Sequence, residues 1–144
     1  MHTIMRLATF YGPYMRPSLT PAVFLDASHK KQQIQVHGTG HQTRTLTYVD
    51  DIVSGIITIL ENEPKYKIVN ISNSEVISVL DIIKEADNLT GNKSVLNFVE
   101  NRKGQIFNVN INTNRLRSLG WTPKTNFKEG LKITYDFYLE NGGF

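Results

Sequence analysis

Two arginines stand where a rigid fork of hydrogen-bond donors could do chemistry. Arg44 lies in the middle of Thr43-Arg44-Thr45, just after the turn His37-Gly38-Thr39-Gly40. Arg102 lies in the charged stretch Glu100-Asn101-Arg102-Lys103-Gly104-Gln105. A guanidinium matches the oxygens of phosphate or carboxylate, so an arginine beside a glycine turn suggests an anion site. A diphosphate suits a converging pair of arginines, because each phosphate carries charge and several acceptor oxygens. The plain alternative for Arg44 is a surface arginine on an edge strand, and the pattern alone leaves both open. Other chemistries have less support. The four histidines have no HxxE spacing, and no metal site is expected. The chain has no cysteine, which excludes disulfides and thiolate chemistry. No G-x-S-x-G elbow is present. Gly38-Thr39-Gly40 lacks a third glycine and leads into a strand, so it fails as a dinucleotide phosphate turn.

The elements that position these residues can be read in order. Ile34 and Val36 alternate with polar neighbours as a strand, and two glycines then supply a turn. Thr43 to Val49 is rich in β-branched and aromatic residues, as a second strand should be, and Asp50 or Asp51 is placed to cap the next helix. Ile52, Ile56, Ile59 and Leu60 form the apolar stripe of that helix, which Pro64 ends. Before the ribbon, Ile4 to Phe10 reads as a buried strand broken by Gly12-Pro13. A helix follows from Leu19 to Ala27, with Val23, Phe24 and Ala27 on one face and Lys30 and Lys31 past its end. After the ribbon come a strand Lys67–Ile71, a helix capped by Ser78 and Asp81 and stopped by Gly91, and a strand Val95–Val99. A short helix capped by Asn112 to Asn114 and a final helix opened by Asn126 and Glu129 complete the chain.

VHGTGHQTRTLTYVDD resembles the segment V/I-Y/F-G-x-G-x-Q-x-R-D-x-x-Y-V-x-D of NAD-dependent nucleotide-sugar epimerases and dehydratases, the extended short-chain dehydrogenases. Gly38, Gly40, Gln42, Arg44, Tyr48, Val49 and Asp51 fall in register. Arg6 to Pro13 resembles the family's R-Y-F-N-V-Y-G-P, and Lys67–Ile71 its V-Y-N-I-G. Leu119-Gly120-Trp121-Thr122-Pro123 with Glu129-Gly130-Leu131 resembles its tail. The resemblance covers nearly the whole chain. It implies an α/β fold: the C-terminal part of a Rossmann-like doubly wound sheet plus a small substrate-binding lobe, without the N-terminal dinucleotide-binding half. Residues 1–144 would then form a single partial domain, and no Tyr-x-x-x-Lys supplies a catalytic acid or base.

The resemblance also implies roles. Arg44 and Arg102 would clamp the diphosphate of a UDP-, dTDP- or GDP-linked sugar. Gln35 and His37 would hold the base, with histidine where the family has Tyr or Phe; the alternative for His37 is an ordinary turn residue. Thr9 stands in place of an asparagine that contacts the sugar–phosphate. Ser18 and Leu19 fall on the family's N-L, and Gln105 replaces an aspartate that holds ribose. Each polar replacement can still hydrogen-bond. NAD would serve as cofactor of the complete enzyme, with no activity expected from this chain alone. A non-catalytic binding or oligomerising module, pairing through an open sheet edge, is the other reading.

Bulk properties agree with a small-ligand protein. The net charge is +3 from 16 basic and 13 acidic residues. These are scattered, which argues against a nucleic-acid groove and permits a local anion pocket. No apolar run approaches 18 residues, so no membrane span is expected. MHTIMRLATFYGP lacks the layout of a signal peptide, and a cytoplasmic setting is the expectation.

Overall fold

The structure is a computed structural model describing residues 2–143. Its elements are β1 (Ile4–Leu7), β2 (Phe10–Tyr11), α1 (Thr20–His29), β3 (Ile34–His37), β4 (Thr43–Thr45), β5 (Thr47–Tyr48) and α2 (Val49–Asn62). There follow β6 (Ile68–Ile71), β7 (Val76–Ser78), α3 (Val79–Thr90), β8 (Leu96–Val99), α4 (Asn114–Arg117) and α5 (Phe127–Glu140). The class is α/β. Strands pair as parallel β1–β6, β2–β5 and β3–β8, and as antiparallel β4–β7.

Helix ends follow local chemistry. Ser78 accepts from the Asp81 N–H at 3.1 Å while the Asp81 carboxylate accepts from the Ser78 N–H, a reciprocal capping box. Gly91 closes the same helix in the left-handed region. Asn126 Oδ1 likewise accepts the Glu129 N–H that opens α5. Leu131, Tyr135 and Tyr138 share the buried stripe of α5.

Several expectations need correction. The ribbon around Arg44 is not one strand. Thr43–Thr45 pairs antiparallel with β7, whereas Thr47 and Tyr48 pair parallel with β2, and Leu46 turns into the core between them. The two halves pair with different strands, and the antiparallel ladder uses β7, a strand missed because Val76–Ser78 is so short. The opening segment is also split, into β1 and β2, and it is not buried: Ile4 and Leu7 are 52 % and 44 % exposed. With β6 as the only strand partner of β1 among the described residues, apolar composition alone did not make it a core strand.

Two helix faces were misjudged as well. Val23 and Leu60 lie exposed, while Pro21, Ala22 and Leu25 join the buried face of α1. Lys30 stays half-exposed at the end of α1, as expected, and also pairs with Asp26 at 2.7 Å. Neither Asp50 nor Asp51 is the cap of α2. Tyr48 holds that position without a side-chain bond, and the acids lie in the first turn, where the helix dipole favours them. Thr113 occupies the cap position of α4, also without a side-chain bond, while Asn112 Oδ1 accepts the Asn114 N–H.

Two apolar cores result. The larger joins α1, β3, α3 and α5 around Leu25, Val36, Leu46, Ile82 and Leu131. The smaller packs α2 against β6 and α4 through Ile52, Ile59, Val69, Leu116 and Trp121. Asp51 ties the C-terminal segment to α2. Its two carboxylate oxygens accept the backbone N–H groups of Lys124 and Thr125, at 2.8 and 3.0 Å. Tyr11 lies against Phe127 and donates to that residue's carbonyl at 3.2 Å.

Candidate functional site

A cleft of about 1050 Å³ opens between α1, β3, β4 and the segment after β8. Its edge strand is β3, which alternates: Ile34 and Val36 are buried, and Gln35 is exposed. A strand sends successive side chains to opposite faces, so Gln35 and His37 share the side away from that core. His37 is held by its ring, whose Nδ1 donates to the Glu100 carbonyl at 3.1 Å. Gly38, with φ of 71°, lies so close to Asn101 that a Cβ there would collide with that side chain. The Gly38 N–H also donates to the Val99 carbonyl at 2.8 Å, so the β3 end and the chain leading to Arg102 are tied at two points.

Arg44 adds a third tie. Its Nη1 donates to its neighbour's carbonyl at Thr43 (2.7 Å) and to the Ile106 carbonyl (3.1 Å). Around this point the Thr43 N–H donates to the Phe107 carbonyl, and the Thr43 hydroxyl donates to Asn108 Oδ1. Among the described residues its Nε and Nη2 make no hydrogen bond, so the arginine both anchors the loop and keeps donors for a ligand. Arg102 to Gln105 forms a tight turn. The Gln105 N–H donates to the Arg102 carbonyl at 3.0 Å, Gln105 Oε1 accepts the Arg102 N–H at 3.2 Å, and Gly104 supplies the positive φ. The Gln105 side chain thus holds the turn through its oxygen and has its amide nitrogen left to donate.

Seven of the eight residues expected at a site line this one cleft: Thr9, Ser18, Gln35, His37, Arg44, Arg102 and Gln105. Leu19 does not. It lines an adjoining hollow of about 480 Å³ with Ala8, Phe10, Tyr11 and Arg16, and Thr9 borders both spaces. Tyr11 in that hollow is 1 % exposed. Burial first, and the nearby Glu75 charge second, push its hydroxyl well above the ordinary tyrosine range, so it stays protonated.

The sequence reading missed Lys30, Lys103, Asp26, Gln33 and Gln42, which also line the cleft. Lys30 had the look of a helix end, and Gln42 fell in register with the family segment but was given no role. The signal for Gln33 was its place immediately before β3. The charge is lopsided. Lys30, Arg44, Arg102 and Lys103 face one acid, Asp26, and that acid already accepts from Lys30 and from the Tyr138 hydroxyl. Such a cleft favours an anion. No group of three or more His, Cys, Asp or Glu suited to a metal occurs among the described residues.

The profile of the NAD dependent epimerase/dehydratase family matches residues 2–72. The chain is 30% identical to bovine (Bos taurus) dTDP-D-glucose 4,6-dehydratase over 145 aligned positions, covering 96% of this chain and 41% of that protein. The chain is a homologue of the NAD-dependent epimerases and dehydratases.

Solved structures agree. UDP-glucose 4-epimerase of Thermotoga maritima, determined with UDP-glucose, superposes with a TM-score of 0.89 at 26% identity, over 96% of this chain and 46% of that one. UDP-glucuronic acid 4-epimerase of Bacillus cereus, with UDP-glucuronic acid and NAD, gives 0.87 at 27% identity, over 96% and 45%. The fold is thus that of part of these Rossmann-like epimerases. The chain spans under half the length of each relative. NAD, which the family implies, finds no phosphate cradle here. The Gly38–Gly40 turn leads from β3 into β4 and not onto a helix that follows it in sequence. The described residues do not fit a dinucleotide site of their own.

Proposed function

We propose that this chain is the nucleotide-sugar-binding C-terminal portion of an NAD-dependent sugar-nucleotide epimerase or dehydratase, one partial domain over residues 1–144. The observation that carries this is the convergence of Gln35, His37, Arg44, Arg102 and Gln105 on one cationic cleft. Arg44 and Arg102 hold the diphosphate, Gln35 and His37 hold the base, and Gln105, Thr9 and Ser18 reach the sugars. The complete enzyme would move hydride between a sugar carbon and NAD. This chain supplies recognition and no catalytic acid or base, because no tyrosine has a lysine four residues on.

Calorimetric titration with UDP-, dTDP- and GDP-sugars tests the reading. One of them is expected to bind saturably, and Arg44→Ala or Arg102→Ala to weaken it by about 2 kcal/mol, as for loss of a charge-assisted hydrogen bond at a charged group. A folded chain that binds none, or variants that bind as well as the parent, would refute the assignment.

A second reading has an observation of its own. β1 pairs only with β6 among the described strands and exposes Ile4 and Leu7, as an association surface does. On this reading the chain is a nucleotide-sugar-binding or oligomerising module without catalysis.

A further inference from the structure

Gln42 has no part in the reading above, yet its surroundings are unusual for an amide. It is 3 % exposed and lines the cleft between His37 and Arg44. Its Nε2 donates to the His37 carbonyl at 2.7 Å. Its Oε1 is buried with no hydrogen-bond partner among the described residues. A buried acceptor left unmet is costly, whereas methionine would fill a similar volume without that cost. Something must favour keeping an N–H on the His37 carbonyl.

The position of the bond supplies the reason. β3 and β4 do not pair with each other; β3 pairs with β8 and β4 with β7. No ladder therefore sets the span from His37 to Arg44. The turn between them rests on the start of α3, where the Leu80 N–H donates to the Gly40 carbonyl and the Val79 N–H to the Gln42 carbonyl, each at 3.1 Å. The Gln42 side chain then reaches back across the turn to His37. We infer that Gln42 is a positioning residue, whose amide fixes the spacing between the strand end that holds the base and the arginine that holds the diphosphate. This rests on the nucleotide-sugar reading of the cleft. A ligand that touches both ends gains from the spacing, and a ligand that touches one end does not.

The test is Gln42→Met in the 144-residue chain, with two probes. Inorganic pyrophosphate reads the arginine pair alone. The tightest-binding nucleoside diphosphate among UDP, dTDP and GDP reads both ends. Pyrophosphate affinity is expected to stay within about twofold of the parent, while nucleoside diphosphate affinity falls about tenfold, the size of one lost hydrogen bond's worth of order. Equal losses for both probes would mark a general disturbance and overturn the role. An unchanged nucleoside diphosphate affinity would overturn it too. If the parent chain binds neither probe, the nucleotide-sugar reading falls, and this role with it; only the first two failures would be specific to Gln42.

Discussion

Asp51 shows how much a single side chain can do outside the site. It is 3 % exposed at the start of α2, and both carboxylate oxygens accept backbone N–H groups from Lys124 and Thr125. A buried carboxylate is tolerated when its lone pairs are met by fixed donors, and its place in the first helical turn helps further. Asp51→Asn keeps the shape but presents an NH₂ to one of those donors. We expect a loss of about 2–3 kcal/mol in urea unfolding, from one charge-assisted bond gone and one N–H left opposed. A change below about 0.5 kcal/mol, the scale of an ordinary surface substitution, would show the contact to be incidental. From sequence, Asp51 looked like a helix cap. Its true partners lie 73 and 74 residues away, and no local pattern carries such a contact. The place of Arg44 on a cleft was legible by contrast, because an arginine beside a glycine turn is a local signal. Its second bond, to the Ile106 carbonyl, was not.

At the scale of elements, α5 is seated by a glycine. A Cβ at Gly130 would collide with the Tyr11 hydroxyl and come within 2.9 Å of the Tyr48 ring. Alanine should favour a helix interior by about 1 kcal/mol over glycine, so the sign of Gly130→Ala is decided by packing. Tyr11 is fully buried and hydrogen-bonded to the Phe127 carbonyl, which leaves its ring little room to retreat. Gly130→Ala is therefore expected to destabilise by about 1–3 kcal/mol, the usual range for overpacking. In a Tyr11→Phe background the nearest clashing atom is absent, and the cost should shrink, leaving the part due to the Tyr48 ring. Equal costs in both backgrounds would place the strain elsewhere. Helix boundaries such as Ser78, Asp81 and Gly91 were legible because caps are written within four residues. The division of the Arg44 ribbon into two strands was not, since it depends on which distant strands offer a ladder.

At the scale of the whole molecule, the interior is legible and the outside is misleading. Apolar residues at Ile4 and Leu7 read as a core strand, because a sequence records what a face is suited to cover and not whether a neighbour is present. In the structure β1 has β6 on one edge and no strand on the other among the described residues, and the chain corresponds to under half of its relatives. An exposed apolar edge strand is a template for pairing with another chain, and charged residues blunt such edges. The chain is thus expected to self-associate at micromolar concentrations, and Ile4→Lys with Leu7→Lys to shift it toward monomer in sedimentation velocity. Ile4 and Leu7 pair with β6 and line neither the cleft nor the adjoining hollow, so nucleotide-sugar affinity per chain should change less than about twofold. Monomer in both proteins would mean that the edge is adequately protected as it stands. A parallel loss of ligand affinity would mean instead that association completes the cleft, and the second reading of the chain would then be a condition of the first.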